Sequence, residues 1–373
     1  GVAADLRRRG EGEPWLADLA QGLVRFLTTV MLLPSDMFAS AQDSESVIDG
    51  RRDEGGYYRR DALARAELSP PALDEKVLTG WNGLAIGALA RAGVAFGDDD
   101  ALQAASRAAE ALLHANRRPD GSLVRASRDG VASTARAALE DSGMLAEGLL
   151  ELALATGEAR WAAVARELVD DALAAARGDL PFGVRGGDDP VLTAHGLALP
   201  PDPAEGASPS GVTATARAAW LLYALEAGDR YRDAATTAMA GVATIAVERP
   251  IAFGSALALM AELADPLVQV VTVLPDNVPD NGPDNVPDDI RDDERDPEPA
   301  GHRATELVAA TRRHEASVAV VVTERQAAAF AQAGFELFEA RPAGRHGRAY
   351  RCESFVCALP VEDAAALEEL GAR

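Results

Sequence analysis

Between about residue 15 and residue 264 the sequence repeats one pattern, which constrains the fold more than any other feature. An apolar helical periodicity ends at a glycine, and a second apolar helix follows after a short loop. The glycines that close the first helices are Gly93, Gly157 and Gly228. Glycine commonly ends a helix because it adopts the left-handed C-cap conformation easily. The repeat therefore predicts helical hairpins, stacked as a solenoid or closed as a toroid.

The loops inside the predicted hairpins are short, whereas the connectors between them are long. The short loop at 96–99 contrasts with the irregular connectors at 117–138 and 178–209. In the first connector, Asp120-Gly121 and Asp129-Gly130 predict a β-hairpin. Long loops on a rigid scaffold commonly carry functional groups, and helix N-termini attract oxygen-rich ligands. We therefore expect a site at the rim formed by the long connectors and the N-termini of the first helices.

Composition supports a helical core and argues against several partners. Hydrophobic residues make up 48% of the 373 residues but aromatic residues only 5%, so Ala, Leu and Val form most of the core. The net charge of −23 argues against nucleic acid or an anionic membrane, because both bind basic surfaces. No apolar stretch approaches the length of about 18 residues that a membrane span needs. Without a secretory signal at its start, the chain is predicted to be cytoplasmic.

The C-terminal part follows a different pattern. We expect residues 1–264 to form the hairpin body and 265–373 a small α/β appendage. Within the appendage, β-branched runs alternate with helical runs, at Val268–Leu274, 303–313, 317–323, 324–333 and 349–359. A Pro-Asp-Asn repeat leads into an acidic tract over 275–299. Such a segment has too little apolar area to offset its ordering entropy, so we expect a disordered linker there.

Lys76 is the only lysine of the chain, beside 35 arginines. It lies in the segment D-E-K-V-L-T-G-W-N-G at 74–83. An ammonium and a guanidinium are not interchangeable, so Lys76 is a candidate for a position that requires an ammonium. The alternative is a single lysine codon that has survived in a loop.

Four segments resemble one known family, at 38–58, 74–83, 139–152 and 349–360. In this order they are similar to the YyaL family of thioredoxin-domain-containing proteins (DUF255), related to spermatogenesis-associated protein 20. The resemblance implies a mainly α fold, an (α/α)6 toroid of the six-hairpin glycosidase and N-acylglucosamine 2-epimerase type. It also implies a carbohydrate-related function.

This chain departs from the family pattern at several places. Nothing in it matches the thioredoxin-like domain with which family members usually begin, so such a domain is a candidate partner. Only about a dozen residues separate Tyr58 from Pro70, where the family has a much longer segment. We count roughly eight long helices rather than twelve, which predicts an incomplete toroid with the α/β appendage attached. Val212 also stands where the family has Asn.

Paired carboxylates are the first candidates for chemistry. Glu140 and Asp141 open a first helix, where two carboxyl groups could act as acid and base on a sugar. Acidic residues at that position also cap helices and complement the helix dipole, which is the alternative interpretation. Asp43 and Glu45 are similar candidates in a loop, with solvated turn residues as the alternative. With Glu140 and Asp141 we assign Lys76 to the catalytic set.

The candidate substrate-binding residues, besides Asp43 and Glu45, are Asn82, Trp81 and Ser210. Asn82 could bind a ligand or cap its helix. Trp81 could stack on a sugar ring, although an aromatic residue between hairpins more often belongs to the core. None of the five histidines falls in the four motifs, which argues against a working epimerase.

Cys352 and Cys357 could bind a metal or form a redox pair, but two buried thiols are the favoured interpretation, and no metal or cofactor is predicted.

Two functions stay open. One is a carbohydrate-active enzyme or its inactive relic, and the other is a non-catalytic module that binds a sugar-like metabolite or a thioredoxin-like domain. In both we expect Lys76, Asn82 and the Glu140–Asp141 pair to converge on one pocket.

Overall fold

The computed structural model describes residues 6, 14–187, 189–197, 201–276 and 300–371, and the fold is mainly helical, as expected. Most of the predicted linker at 275–299 lies outside the described residues, which stop at Asp276 and resume at residue 300. The longer helices of the body are α1 (Pro14–Phe26), α2 (Thr79–Phe96), α3 (Asp99–Asn116), α4 (Leu139–Thr156), α5 (Ala159–Ala174), α6 (Gly211–Ala224), α7 (Asp229–Glu248) and α8 (Gly254–Ala264). None of the described helices has the length and apolar character that a membrane span requires.

The body is built from three helical hairpins, α2–α3, α4–α5 and α6–α7. Each second helix packs against its own first helix, and the first helices α2, α4 and α6 pack side by side. Helix α1 extends the row beside α2, and α8 packs against α6 and α7. The described contacts therefore form a row of first helices with the second helices on one side of it. Closure of this row into a ring stays a prediction.

The glycines of the repeat do not all end helices. Gly157 is the left-handed C-cap of α4, with φ of 71°, as predicted. The prediction was wrong for Gly93, because α2 continues to a C-cap at Gly97. Gly93 instead lets α3 pack closely, since a Cβ there would lie 2.5 Å from Leu102 Cγ. It was also wrong for Gly228, which lies after the end of α6 and precedes the first residue of α7.

Glycines bring the backbones of the first helices into direct contact. A Cβ on Gly83 of α2 would lie 2.5 Å from Leu145 Cα of α4, and a Cβ on Gly148 would collide with the Gly83 carbonyl oxygen. Gly143 of α4 meets Thr215 of α6 in the same way. Real Cβ atoms do not approach other atoms this closely, so only glycine, which has no Cβ, fits at these positions. The N-termini of the three first helices are held together as a result.

Short strands lie in the connectors at that end of the helices. They are β1 (Ala41–Gln42), β2 (Glu45–Ile48), β3 (Arg51–Glu54), β4 (Leu73–Asp74), β5 (Val77–Leu78), β6 (Ala126–Arg128) and β7 (Val131–Ala132). The pairs are β1–β4, β2–β3, β5–β6 and β6–β7, all antiparallel. The predicted hairpin around Asp129-Gly130 is therefore present as β6–β7. Around Asp120-Gly121 the chain turns with a single bridge between Arg117 and Leu123.

The C-terminal part folds around one four-stranded sheet. Its strands and helices are β8 (Val268–Leu274), α9 (Ala300–Arg313), β9 (Val318–Thr323), α10 (Glu324–Gln332), β10 (Arg348–Glu353), β11 (Val356–Cys357) and α11 (Ala364–Gly371). The strand order is β11-β10-β8-β9, with β8 and β9 parallel and the other pairs antiparallel. Each predicted strand region thus contributes to the same sheet.

The sheet packs on both faces. One face, with Val270 and Ala349, forms a small core with residues of α9 and α11. The other face, with Val271 and Val320, joins the main core together with Trp161 of α5. This shared core fixes the sheet against the helical body. The division of the chain into units at residue 264 stays a prediction.

Candidate functional site

The N-termini of the first helices meet at the rim of the long connectors, where the sequence predicts a site. Thr79 N at the start of α2 donates to Arg125 O (3.0 Å). Gly80 N donates to Asp141 Oδ1 of α4 (3.2 Å). Gly211 at the start of α6 lies against the backbone of Glu140, which a Cβ at Gly211 would approach to 2.6 Å. The predicted residues on these three helices therefore share one rim.

Arg125, in the connector before α4, binds both carboxylates of the predicted catalytic pair. Its Nη2 lies 2.6 Å from Glu140 Oε1, and its Nη1 lies 3.1 Å from Asp141 Oδ2. Asp141 is only 3% exposed and also accepts a hydrogen bond from Ala138 N (2.8 Å). Burial raises the pKa of Asp141 to about 6, although Arg125 and the backbone donors oppose the rise. These contacts favour the capping interpretation for Asp141, whereas Glu140 keeps access to solvent.

Lys76 is bound by a carboxylate, but by its neighbour Asp74 rather than by the pair on α4. Its Nζ lies 3.0 Å from Asp74 Oδ2, and the two side chains are 56% and 44% exposed. The hydrogen bond from Lys76 lowers the pKa of Asp74. An exposed pair of this kind contributes little to stability. The ammonium group of Lys76 is therefore exposed to solvent at the rim, where a ligand could reach it.

Asn82 and Ser210 are held by structural hydrogen bonds. Asn82 is 2% exposed, accepts from Phe38 N (2.8 Å) and donates to Phe38 O and Leu78 O (3.0 Å each). The two bonds with Phe38 fasten the segment before β1 to α2, and the bond to Leu78 O holds the N-cap residue of α2. Ser210 is the N-cap of α6, with its Oγ accepting from Thr213 N (3.1 Å). The geometry favours capping and anchoring over ligand binding for both residues.

Asp43 and Glu45 are occupied by local contacts beside the β2–β3 hairpin. Asp43 Oδ1 accepts from Glu45 N (3.1 Å), as in an Asx turn, and Asp43 O accepts from Tyr58 OH (2.6 Å). Glu45 forms an ion pair with Arg52 on the paired strand. These contacts match the turn-residue alternative.

Trp81 differs from its favoured interpretation as a core residue, because 49% of it is exposed. The buried residues of α2 lie on the faces that pack against α3 and α4, and Trp81 lies outside them. Gly80 and Gly83 lie on the face of α2 that contacts α4, and Trp81 lies off that face. The ring is thus presented at the rim beside Gly80, whose amide binds Asp141.

Sequence reasoning missed a charged cluster deeper along the first helices. We define the charged cluster as Arg91 of α2, Glu147 and Glu151 of α4, Arg217 of α6 and Glu262 of α8. Arg91 Nη1 lies 3.2 Å from Glu151 Oε1, and Arg217 forms an ion pair with Glu262. Glu147 lies between these pairs and interacts with both arginines. Four helices thus contribute charges to one place.

The charged cluster lies on the side of the row away from the second helices. Arg91 is two residues from Gly93, which contacts α3, and two residues correspond to about 200° around a helix. Along α4, Glu140, Glu147 and Glu151 are spaced by seven and four residues, so they occupy one helix face. The face of α4 that carries Glu140 at the rim therefore also carries Glu147 and Glu151 of the charged cluster.

Glu147 is the carboxyl group of the charged cluster whose pKa the fold perturbs. Burial raises the pKa of its carboxyl group, while Arg217 and Arg91 oppose the rise and Glu151 adds to it. Perturbed carboxyl groups among fixed charges are typical of functional sites. The sequence signal was present: charged residues recur at helical spacing inside an otherwise Leu-, Ala- and Gly-rich helix.

A separate cleft of about 380 Å³ lies at the opposite rim, between α1 and the end of α2. Its lining includes Gln21, Val24 and Phe96, together with the aspartates that begin α3. None of the predicted site residues lines it. Among the described residues, no group of three or more His, Cys, Asp or Glu side chains is arranged to hold a metal ion.

The favoured interpretation of the two cysteines as buried thiols was wrong. Cys352 and Cys357 form a disulfide, since they lie directly opposite each other on β10 and β11. Cys352 is fully buried, whereas Cys357 is exposed. Of the alternatives that the sequence left open, the redox pair is the one compatible with this geometry.

Comparison with known proteins identifies no family. No family model matches the chain, and no curated protein matches it. Among solved structures, a sugar epimerase from a ruminal bacterium has 15% identity and a TM-score of 0.44, with 64% of this chain and 57% of that chain covered. The cellobiose 2-epimerase from Spirochaeta thermophila DSM 6192 has 15% identity and a TM-score of 0.44, with 67% and 60% covered. The chain spans less than two thirds of either epimerase, and a likeness this weak determines neither its fold family nor its activity.

Proposed function

We propose that the protein is a carbohydrate-active protein that binds a sugar-like polyol along the charged cluster, with Glu147 as the proton-transfer group. The observation that carries this proposal is the position of Glu147 between the Arg91–Glu151 and Arg217–Glu262 ion pairs. A carboxyl group whose pKa is raised holds its proton to a higher pH than a solvated one, so it can act as a general acid towards a substrate oxygen.

The groups around Glu147 suit a neutral, hydroxyl-rich ligand. Arginine offers several fixed donors, and a carboxylate offers acceptors. Arg91 can therefore donate to the oxygens of neighbouring hydroxyl groups, while Glu151 accepts from their hydrogens. The arginines also offset the negative charge of the glutamates, so the cluster does not select strongly for a cation. At the rim, Trp81 adds an apolar ring face and Arg125–Glu140 a further donor and acceptor. A sugar presents both kinds of surface.

The proposal includes an (α/α)6 toroid of the six-hairpin type, open or incomplete in this chain. The support is the row of first helices with second helices on one side only. In a closed ring of such hairpins, the other side of the row lines the central space. The charged cluster would then lie in the interior of the ring, reached from the rim at Glu140.

The test is a comparison of Glu147→Gln with wild type on a panel of mono- and disaccharides. Binding is measured by isothermal titration calorimetry, and turnover by NMR of the anomeric and C2 protons. We expect Glu147→Gln to keep ligand binding and to lose about 10²- to 10⁴-fold in turnover, the usual contribution of a general acid or base. Glu248→Gln, at the exposed end of α7, is the matched control and should behave as wild type.

Two other outcomes would contradict part or all of the proposal. Sugar binding by wild type without turnover would contradict proton transfer by Glu147 and support the non-catalytic binding module. Absence of binding to every sugar in the panel would contradict the proposal as a whole. The resemblance to the YyaL family and the thioredoxin-like partner stay predictions, and a pull-down with an isolated thioredoxin-like domain would test the partner.

A further inference from the structure

The hairpin of β10 and β11 carries chemistry that the proposed function does not use. Its disulfide joins Cys352 and Cys357, and the only residues between the paired positions Glu353 and Val356 are Ser354 and Phe355. We propose that Cys352 and Cys357 form a thiol–disulfide exchange site that accepts electrons from a dithiol. The inference is independent of the sugar-binding proposal.

The first observation is the position of Arg341. Its Nη2 lies 3.5 Å from Cys352 Sγ and 3.6 Å from Cys357 Sγ, so one guanidinium faces both sulfur atoms. A guanidinium does not lose its proton in proteins, and a nearby positive charge stabilises a thiolate. A thiolate that is stabilised in this way is also a better leaving group in exchange.

Few charges compete for this guanidinium. Burial lowers the pKa of Arg341, and Glu226 in the turn after α6 and Tyr350 of β10 oppose that effect. Burial in turn raises the pKa of the Glu226 carboxyl group. The Arg341 side chain also donates to Leu337 O and stacks over the ring of Tyr350 at 5.1 Å. The side chain is therefore held in place beside the sulfur atoms.

The second observation is an unequal exposure of the two sulfur-bearing residues. Cys352 is fully buried, whereas Cys357 on the edge strand is exposed. An external thiolate can therefore reach Cys357 and not Cys352. Attack on Cys357 makes Cys352 the leaving group, and Arg341 lies next to it.

The third observation is an unpaired acceptor opposite Cys352. Gln269 of β8 pairs directly with Cys352, so the two side chains lie on the same face of the sheet. Gln269 Nε2 donates to Ala224 O (2.7 Å), which fixes the amide, and its buried Oε1 has no partner. A buried acceptor without a partner is costly, and the S–H group of a reduced Cys352 is a donor. Reduction thus places a donor on the residue that lies opposite this unpaired acceptor.

The turn adds a fourth observation. Ser354 and Phe355 both have positive φ, 47° and 68°, in a two-residue turn that normally uses Asn or Gly. Non-glycine residues are strained in this region. Reduction removes the covalent bond that holds the strained turn closed, so strain in the turn favours the dithiol.

The exchange proceeds in two balanced steps. A thiolate of the dithiol attacks Cys357 Sγ, forming a new S–S bond, while the Cys352–Cys357 bond breaks and its electron pair leaves on Cys352 Sγ. In the mixed disulfide, the first sulfur of the reductant is bonded to Cys357 Sγ. The second thiolate of the reductant then attacks that first sulfur, forms the disulfide of the reductant and expels the Cys357 thiolate. The dithiol becomes a disulfide, the chain gains two electrons, and the two protons of the dithiol pass to the solvent or to the new thiols.

The experiment follows reduction of the folded protein by dithiothreitol, with alkylation and mass spectrometry, and circular dichroism as the measure of folding. We expect complete reduction without loss of helical signal, and a glutathione adduct on Cys357 when glutathione is used as the probe. Near neutral pH, lowering the pKa of a thiol by one unit raises its thiolate fraction about tenfold. Because a thiolate of lower pKa is also a weaker nucleophile, the net expected effect is alkylation that is about threefold faster. Arg341→Gln should lose this factor, while Arg341→Lys should keep most of it.

Arg313→Gln is the matched control, because Arg313 at the end of α9 is an exposed arginine that pairs with Glu368 of α11, and none of its described contacts is with either sulfur atom. It should react as wild type. Reduction that occurs only in parallel with unfolding in urea would overturn the proposal, as would equal thiol reactivity of wild type and Arg341→Gln. If Arg341→Gln does not fold, the proposal is tested by the pH profile of alkylation of reduced wild type. A Cys357 thiol pKa at or above the usual value of about 8.5 would also overturn the proposal.

Discussion

Substitution of Gly83 by Ala tests whether the first helices are held together by glycine contacts. In most helix interiors this change stabilises a protein, because Ala has a higher helix propensity than Gly by about 1 kcal/mol. At Gly83 the new methyl group would lie 2.5 Å from Leu145 Cα, 2.7 Å from Leu145 N and 2.7 Å from Met144 O. These are backbone atoms, so no rotation of a side chain can relieve the contact.

The expected magnitude follows from the two opposing effects. Overpacking in a close contact costs about 1–3 kcal/mol, and contact with several backbone atoms places Gly83 at the upper end of that range. After the gain in helix propensity, we expect Gly83→Ala to lower the free energy of unfolding by about 2 kcal/mol. The same substitution should also displace the N-terminus of α4 and weaken the contacts around Glu140.

Gly241→Ala is the matched control for this prediction. Gly241 lies within α7, and a Cβ there would meet nothing within 4 Å. This substitution should raise the free energy of unfolding by about 0.5–1 kcal/mol. Both variants are measured by urea denaturation followed by circular dichroism, with the m-value as a check on the transition. A stabilised Gly83→Ala variant would refute the glycine-contact model.

Further predictions concern the rim. The pKa of Asp141 is raised to about 6 in the folded state, so the folded protein favours the protonated form and its stability should fall as the pH rises from about 4 to 7. Over that range, the free energy of unfolding of wild type should fall by on the order of 2 kcal/mol relative to that of Asp141→Asn. The measurement is urea denaturation at several pH values, and parallel pH profiles of the two proteins would contradict the prediction. Asn82→Ala leaves the buried backbone groups of Phe38 without partners and should cost about 2–3 kcal/mol in the same assay, whereas an unchanged midpoint would contradict the anchoring role. Lys76→Met removes only the exposed pair with Asp74 and should change stability by less than about 0.5 kcal/mol, so a larger loss would show further contacts of Lys76.

Local sequence patterns determined the secondary structure. Apolar periodicity predicted the helical hairpins, because the period of the side chains depends only on neighbouring residues of the chain. Gly157 was recognised as a C-cap for the same reason, since the left-handed conformation is a local property. The β-branched runs and the Asp129-Gly130 turn likewise predicted strands and a hairpin that the structure contains.

The roles of individual residues depended on neighbours that are distant in sequence. Gly93 has the same chemistry as Gly157, but it fits the packing of Leu102 rather than a helix end. Asp141 was a plausible catalytic carboxylate until the fold placed Arg125 and the Gly80 amide on its oxygens. A sequence gives the capacity of a side chain to form bonds, whereas the fold decides which partners fill that capacity.

The charged cluster and the cysteine pair show the same dependence most clearly. Glu147 acquires its environment from four helices that span residues 79 to 264, and no local pattern records that proximity. Cys352 and Cys357 bond because the register of β10 and β11 opposes them, and Arg341 reaches them from a neighbouring loop. The sequence determined the helices, the strands and the rim on which a site was expected. Tertiary packing alone decided which charges meet, because burial and proximity exist only after the elements have packed.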